Sequence, residues 1–110
     1  MIVEIFIPCF NEEDNIDALV SSWAKAVKLA NGYLLLITFI DNGSEDLTKK
    51  KLLQNLQSKN ENLSLVIKQN NTGYGAGIMH GVNNSEAGYI GWAHADLQFN
   101  PIDLVKKLNK

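Results

Sequence analysis

The chain has no arginine, one cysteine and two prolines, and each scarcity excludes something. Without arginine no bidentate guanidinium fork is available to any anionic ligand, so lysines, helix N-termini or a metal ion would have to hold one. Ten lysines stand against twelve acids for a formal charge of −2, with no basic face, so nucleic acid is not an expected partner. A lone Cys9 cannot build an internal disulfide framework, which suits a reducing compartment. Long hydrophobic runs are absent as well. The longest, residues 33–40, falls far short of the ~20 residues a bilayer crossing needs, and the N-terminus lacks the basic and apolar regions of a secretory signal. These absences point to a cytoplasmic protein, at most peripheral to a membrane.

What is present is a chain of 110 residues, 45% of them apolar, which is one domain's worth of sequence with enough apolar surface for a core. The expected domain is residues 1–110. Residues 2–7 are β-branched and aromatic and read as a first strand stopped by Pro8. Asn11-Glu12-Glu13-Asp14 then offers a cap and an acidic first turn. Ile16, Leu19, Val20, Trp23, Val27 and Ala30 follow at helical spacing, and Gly32 ends that helix. Residues 34–40 are almost continuously apolar, as in a strand covered on both faces. After Asp41-Asn42-Gly43, Ser44 is placed to cap a second helix opening with Glu45 and Asp46. Residues 63–67 form a third strand, a short glycine-rich helix carries Ile78 and Val82, and residues 89–93 form a fourth strand. Asn100-Pro101-Ile102-Asp103 supplies an N-cap, a proline at N1 and an acid at N3 for a last helix.

Alternation of this kind predicts an α/β fold, a parallel sheet with helices on both faces. Ligands of such sheets bind beyond the carboxyl ends of the strands, at a topological switch point. The polar residues cluster there: Asn11 and Glu12 after strand one, Asp41 and Asn42 after strand two, His94 and Asp96 after strand four.

Each cluster has a plain reading beside a chemical one. Asp96, with His94 two residues before it, is placed to ligate Mg²⁺ or Mn²⁺ bridged to a diphosphate, since these ions take few protein carboxylates and fill their shell from phosphate and water. Equally, Asp96 caps the turn before Asn100. Asp41 and Asn42 can hydrogen-bond a base or ribose, or belong to an ordinary strand-to-helix turn. Pro8-Cys9-Phe10-Asn11-Glu12 offers an aromatic to stack on a base, or a helix entry. Gly73-Tyr74-Gly75-Ala76-Gly77 is not a dinucleotide fingerprint, because the third glycine of that motif would fall at Ile78 and the segment follows the third strand. Cys9 reads as a small buried residue and His80 as a structural histidine on the polar side of its short helix. Lys49, Lys50 and Lys51 read as a solvated helix face, and Trp23 and Trp92 as core.

Four segments in order, Ile7-Pro8-Cys9-Phe10-Asn11-Glu12-Glu13, Ile40-Asp41-Asn42-Gly43-Ser44-Glu45-Asp46, Asn71-Thr72-Gly73-Tyr74-Gly75-Ala76 and His94-Ala95-Asp96-Leu97-Gln98, resemble glycosyltransferase family 2 with its GT-A fold. The likeness is to the branch of dolichol- or polyprenyl-phosphate sugar synthases, and it implies an α/β, mostly parallel sheet of order 3-2-1-4 with helices on both faces. It implies that Pro8, Phe10 and Glu12 line a nucleotide pocket, with Asp41 and Asn42 near base and ribose and Gly73 and Gly75 at its border. His94 and Ala95 would lie along the bound nucleotide sugar, and Asp96 would bind Mg²⁺ or Mn²⁺, with His94 as a second candidate ligand. His94 stands where that family usually carries the first Asp of its metal motif, and Asn42 where a second Asp is common. The implied function is hexosyl transfer from a UDP- or GDP-sugar to a polyprenyl-phosphate or glycan acceptor. The resemblance puts the general base and acceptor pocket beyond Lys110, so the chain reads as a truncated, donor-binding half with no catalytic base of its own. A non-catalytic remnant or regulatory module of the same fold is the alternative. A receiver-like fold fits poorly, since strand three leads into Lys68-Gln69-Asn70 rather than an acid. If strand four lacks an outer neighbour, residues 89–93 form an open apolar edge, which invites self-association.

Overall fold

A computed structural model describes residues 1–57, 60–68, 78, 82–83 and 85–109. The described elements run β1 (Ile2–Cys9), α1 (Ile16–Leu29), β2 (Leu34–Asn42), α2 (Thr48–Asn55), β3 (Leu63–Lys68), β4 (Tyr89–Trp92) and α3 (Pro101–Leu108). The four strands form one parallel sheet, as the alternation of elements predicts, and its order β3-β2-β1-β4 is the one the family resemblance implies. Ile2 pairs with Leu34 and Cys9 with Asp41, so β1 and β2 are in step over eight residues, whereas β4 pairs with β1 only from Val3 to Phe6.

Strand alternation sorts the side chains onto two faces. Val3, Ile5, Ile7, Cys9, Leu35, Ile37 and Phe39 share one face and join Ile16, Leu19, Val20, Trp23 and Ala26 of α1, Leu52 of α2 and Val105 of α3 in a single core. The other face also starts from buried groups, Phe6, Thr38 and Ile40. The connections from β1 to β2 and from β2 to β3 step one way across the sheet, and the one from β3 to β4 steps back. Of the described residues before β4, Ser85 lies on the opposite face, as a right-handed crossover requires: its Oγ donates to Glu4 Oε1 at 2.6 Å, and Glu4 lies on that face. Ile78, Val82 and Asn83 are helical, but the rest of the expected glycine-rich helix, with Gly73, Gly75 and His80, lies outside the described residues.

Several expectations are corrected. Pro8 does not stop β1 but lies inside it. In a parallel strand, the N–H and C=O of one residue face the same neighbour. Phe6 O accepts from Ala93 N at 3.0 Å, so Pro8, two residues on, also faces the β4 side, where that strand has ended and its missing N–H costs no ladder bond. Helix α1 starts at Ile16 rather than in the Asn11 segment, because Asn11 takes a left-handed conformation with φ 52° that a helix cannot include. Ser44 does not cap α2, which begins at Thr48, since its hydroxyl accepts from Asn11 N instead. Lys51 is not simply solvated: its Nζ donates to Glu13 O at 2.9 Å. Trp23 is core, at 1% exposed, but Trp92 is 52% exposed on the outermost described strand. The last helix matches its reading, with Asn100 Oδ1 accepting from Ile102 N at 3.0 Å and Pro101 opening the first turn.

Candidate functional site

The carboxyl ends of β1, β2 and β4 lie along one edge of the sheet, with β1 in the middle. Beyond β1, Pro8 and Cys9 are buried, Phe10 and Glu12 half-buried and Asn11 exposed. Beyond β2, Asp41 and Asn42 are both buried, at 1% and 0% exposed. As neighbours on a strand they face opposite sides of the sheet: Asp41 shares the Cys9 face, and Asn42 shares the face of Pro8 and Ile40. Asp41 Oδ1 accepts from Ser44 N at 3.3 Å, so this acid does serve the strand-to-helix turn. Gly43, with φ 74°, supplies the left-handed residue which that turn requires.

The Cys9 thiol reports how these groups gather. Burial pushes its pKa far up, and the nearby charges of Asp41 and then Glu12 push it further. Asp41, paired with Cys9 across β1 and β2, and Glu12 of the β1 connection thus bear on one point at the end of β1. The thiol donates to Ile7 O at 3.4 Å and stays protonated, so Cys9 is a packing residue rather than a nucleophile. Glu12 is held in turn, because its Oε2 accepts from Asn15 Nδ2 at 3.0 Å.

The third segment flanks β1 on its other side. Ala93 and Ala95 are buried, while His94 is exposed with its ring edge-on to Trp92, the centroids 4.9 Å apart. Asp96 is half-buried, and its Oδ1 accepts from Gln98 N at 3.3 Å, so the turn-capping reading is realised in part. Trp92, Ala93, His94, Asp96, Gln98 and Phe99 line an open groove of about 440 Å³. A larger hollow of about 640 Å³ lies between α1, α2 and the start of β3, away from this edge and its acids. Among the described residues no group of three or more His, Cys, Asp or Glu is gathered to hold a metal ion. The donors at the groove, one carboxylate and one imidazole, fit a hard divalent cation only if phosphate and water complete its shell.

The reading from residue types missed the groups that join the first two segments. Ser44, Thr48 and Asp46 accept from the backbone N–H groups of Asn11, Glu12 and Glu13, pairs separated by 33 to 36 residues in sequence. The signal available was the density of hydroxyls and acids in Ser44-Glu45-Asp46-Leu47-Thr48, more than one helix cap needs.

A four-stranded parallel sheet of this order, with its acids and amides at the carboxyl edge, is the first part of a GT-A architecture. The model of glycosyl transferase family 2 matches residues 4–110, and the chain belongs to that family. It is 30% identical over 107 residues to the undecaprenyl-phosphate 4-deoxy-4-formamido-L-arabinose transferase of Proteus mirabilis, covering 96% of this chain and 32% of the relative. To the protein of the same name from Photorhabdus laumondii it is 30% identical over 109 residues, covering 98% and 33%. A mannosyltransferase from Pyrobaculum calidifontis, solved in complex with GDP-Man and Mn²⁺, has the same fold. The TM-score is 0.79 at 17% identity, over 97% of this chain and 31% of that one. The chain thus spans about a third of the length of the curated relatives it matches. Among the described residues no helix is long and apolar enough to cross a membrane.

Proposed function

We propose that this chain forms the donor side of a glycosyltransferase that moves a hexosyl group from a UDP- or GDP-sugar to a polyprenyl-phosphate or glycan acceptor. The observation that carries the proposal is the family match over residues 4–110. Glu12, Asp41 and Asp96 standing at the ends of adjacent strands support it. In this reading Pro8, Phe10 and Glu12 line the nucleotide pocket, Asp41 and Asn42 serve base and ribose, and Gly73 and Gly75 border it. Asp96, with His94 beside it, supplies the protein ligands of Mg²⁺ or Mn²⁺, and Ala95 keeps that segment seated against the core. The cation would neutralise charge developing on the departing nucleoside diphosphate. The reading assigns no general base among these 110 residues; the resemblance puts that residue and the acceptor pocket further along the family's chain. Both curated relatives are named as undecaprenyl-phosphate transferases, which supports a lipid-phosphate acceptor, a peripheral place at a membrane and turnover over a non-catalytic role. A second copy of the chain is proposed to add at the outer edge of β4.

Thermal unfolding with UDP- and GDP-sugars, with and without Mn²⁺, tests the donor site, because a ligand bound only by the folded state raises the midpoint. The expected result is a metal-dependent rise of a few degrees with one donor class, lost in Asp96→Ala. No rise with any donor overturns the reading, and a rise unchanged in Asp96→Ala overturns the metal assignment.

A further inference from the structure

The connections after β1 and β2 are joined by a chain of hydrogen bonds through two residues of the second. Glu12 N–H donates to Thr48 Oγ1 at 2.7 Å, and the Thr48 hydroxyl donates its proton to Asp46 Oδ1 at 2.5 Å. The other carboxylate oxygen, Asp46 Oδ2, accepts from Glu13 N at 3.3 Å. Alongside, Asn11 N donates to Ser44 Oγ at 3.1 Å, and Asn11 Oδ1 accepts from Glu45 N at 2.8 Å. Two successive amides of the β1 connection thus rest on one Asp-Thr pair.

We infer that Thr48 and Asp46 are positioning residues for the donor nucleotide: by holding the Glu12 and Glu13 amides they set where Glu12 stands relative to Asp41. This deepens the donor-site reading above and rests on it. A hydroxyl by itself rotates and can donate or accept. Here its proton is committed to a carboxylate, a short charge-assisted bond, so a lone pair is left facing the Glu12 amide. Thr48 is fully buried, so water cannot take over that role at no cost. Neither residue belongs to the edge where the nucleotide would lie. Their effect on it passes through the backbone of Asn11, Glu12 and Glu13, whose left-handed start at Asn11 leaves no regular ladder to hold it.

The test compares the wild-type chain with Thr48→Val, Thr48→Ser and Asp46→Asn by two readouts: amide hydrogen exchange resolved by residue, and GDP and UDP affinity in the presence of Mn²⁺ by calorimetry. Thr48→Val is expected to speed exchange at the Glu12 amide at least about tenfold while amides of α1 keep their protection. It is also expected to weaken nucleotide binding about tenfold. Thr48→Ser, which keeps the hydroxyl, restores both. Asp46→Asn removes the charge and carries the same expectation for the Glu13 amide should the valine variant not fold. Unchanged exchange at these amides, acceleration spread evenly over the chain, or failure of the serine variant to rescue overturns the inference. Faster local exchange with wild-type nucleotide affinity overturns the positioning role alone. A wild-type chain that binds neither nucleotide overturns the donor-site reading and the inference with it.

Discussion

Cys9 shows how one residue can be chemically silenced by its place in the sheet. Its thiol is fully buried, faces the core and has two acids near it, all of which oppose the thiolate. Native protein at pH 8 is therefore expected to leave Cys9 unmodified by a thiol reagent over hours, with full modification once denaturant is added. Rapid reaction in the native state would show the thiol to be accessible. Asp46 is tuned the other way. Burial works against its charge, but the hydrogen bonds from the Thr48 hydroxyl, the Thr48 amide and the Glu13 amide outweigh it and hold its carboxyl below the usual range. A lowered value means that the contribution is complete above the ordinary carboxylate range and is lost as pH falls through the lowered one. The two loops are thus expected to stay joined at neutral pH and to part only in acid.

At the scale of elements, helix starts are decided by what holds the first N–H groups. Helix α3 has a side-chain cap in Asn100 and a proline at its first position, and it starts where its residues say it should. Asn100→Ala is expected to cost about 1 kcal/mol in urea unfolding, whereas Asn100→Asp, which keeps an accepting oxygen, stays close to wild type. Helices α1 and α2 receive no side-chain cap bond from their N-cap residues, Asn15 and Leu47, and the first N–H of α2, on Thr48, is held by Asp46 Oδ1 at 2.9 Å. Their would-be caps, Asn11 and Ser44, bond to each other's connections instead. Local propensity could not show this, because the competing partner sits 33 residues away in sequence. A separation of 38 residues likewise hid the bond from Lys51 Nζ to Glu13 O, so three consecutive lysines read as one solvated face when one of them ties α2 to the β1 connection.

For the molecule as a whole, the described sheet has β3 at one edge and β4 at the other. Tyr89, Ile90 and Trp92 of β4 are 61%, 43% and 52% exposed, an apolar set on a strand paired with β1 alone among the described residues. Such an edge is a template for strand addition. Sedimentation is expected to show concentration-dependent dimers that are suppressed in the Ile90→Lys, Trp92→Lys double variant. A monomer at high micromolar concentration, the same for wild type and variant, would remove the self-association proposal.

The amino-acid sequence by itself determined the order of elements, the parallel sheet, the one-sided core of α1 with Trp23 in it and the carboxyl-edge address of Glu12, Asp41 and Asp96. Those features rest on apolar periodicity, chain connectivity and crossover handedness, all of which are local or topological and therefore written along the chain. The tertiary structure decided the rest. It made Trp92 an edge residue and Trp23 a core one, although both are tryptophans in apolar segments, because exposure depends on which strand ends the sheet. It turned Asp41 and Asn42 to opposite faces, and it joined Asn11, Ser44, Asp46 and Thr48 across two connections. A hydrogen bond between residues more than thirty positions apart exists only after β1 and β2 have paired in register, since that pairing is what brings the two connections side by side.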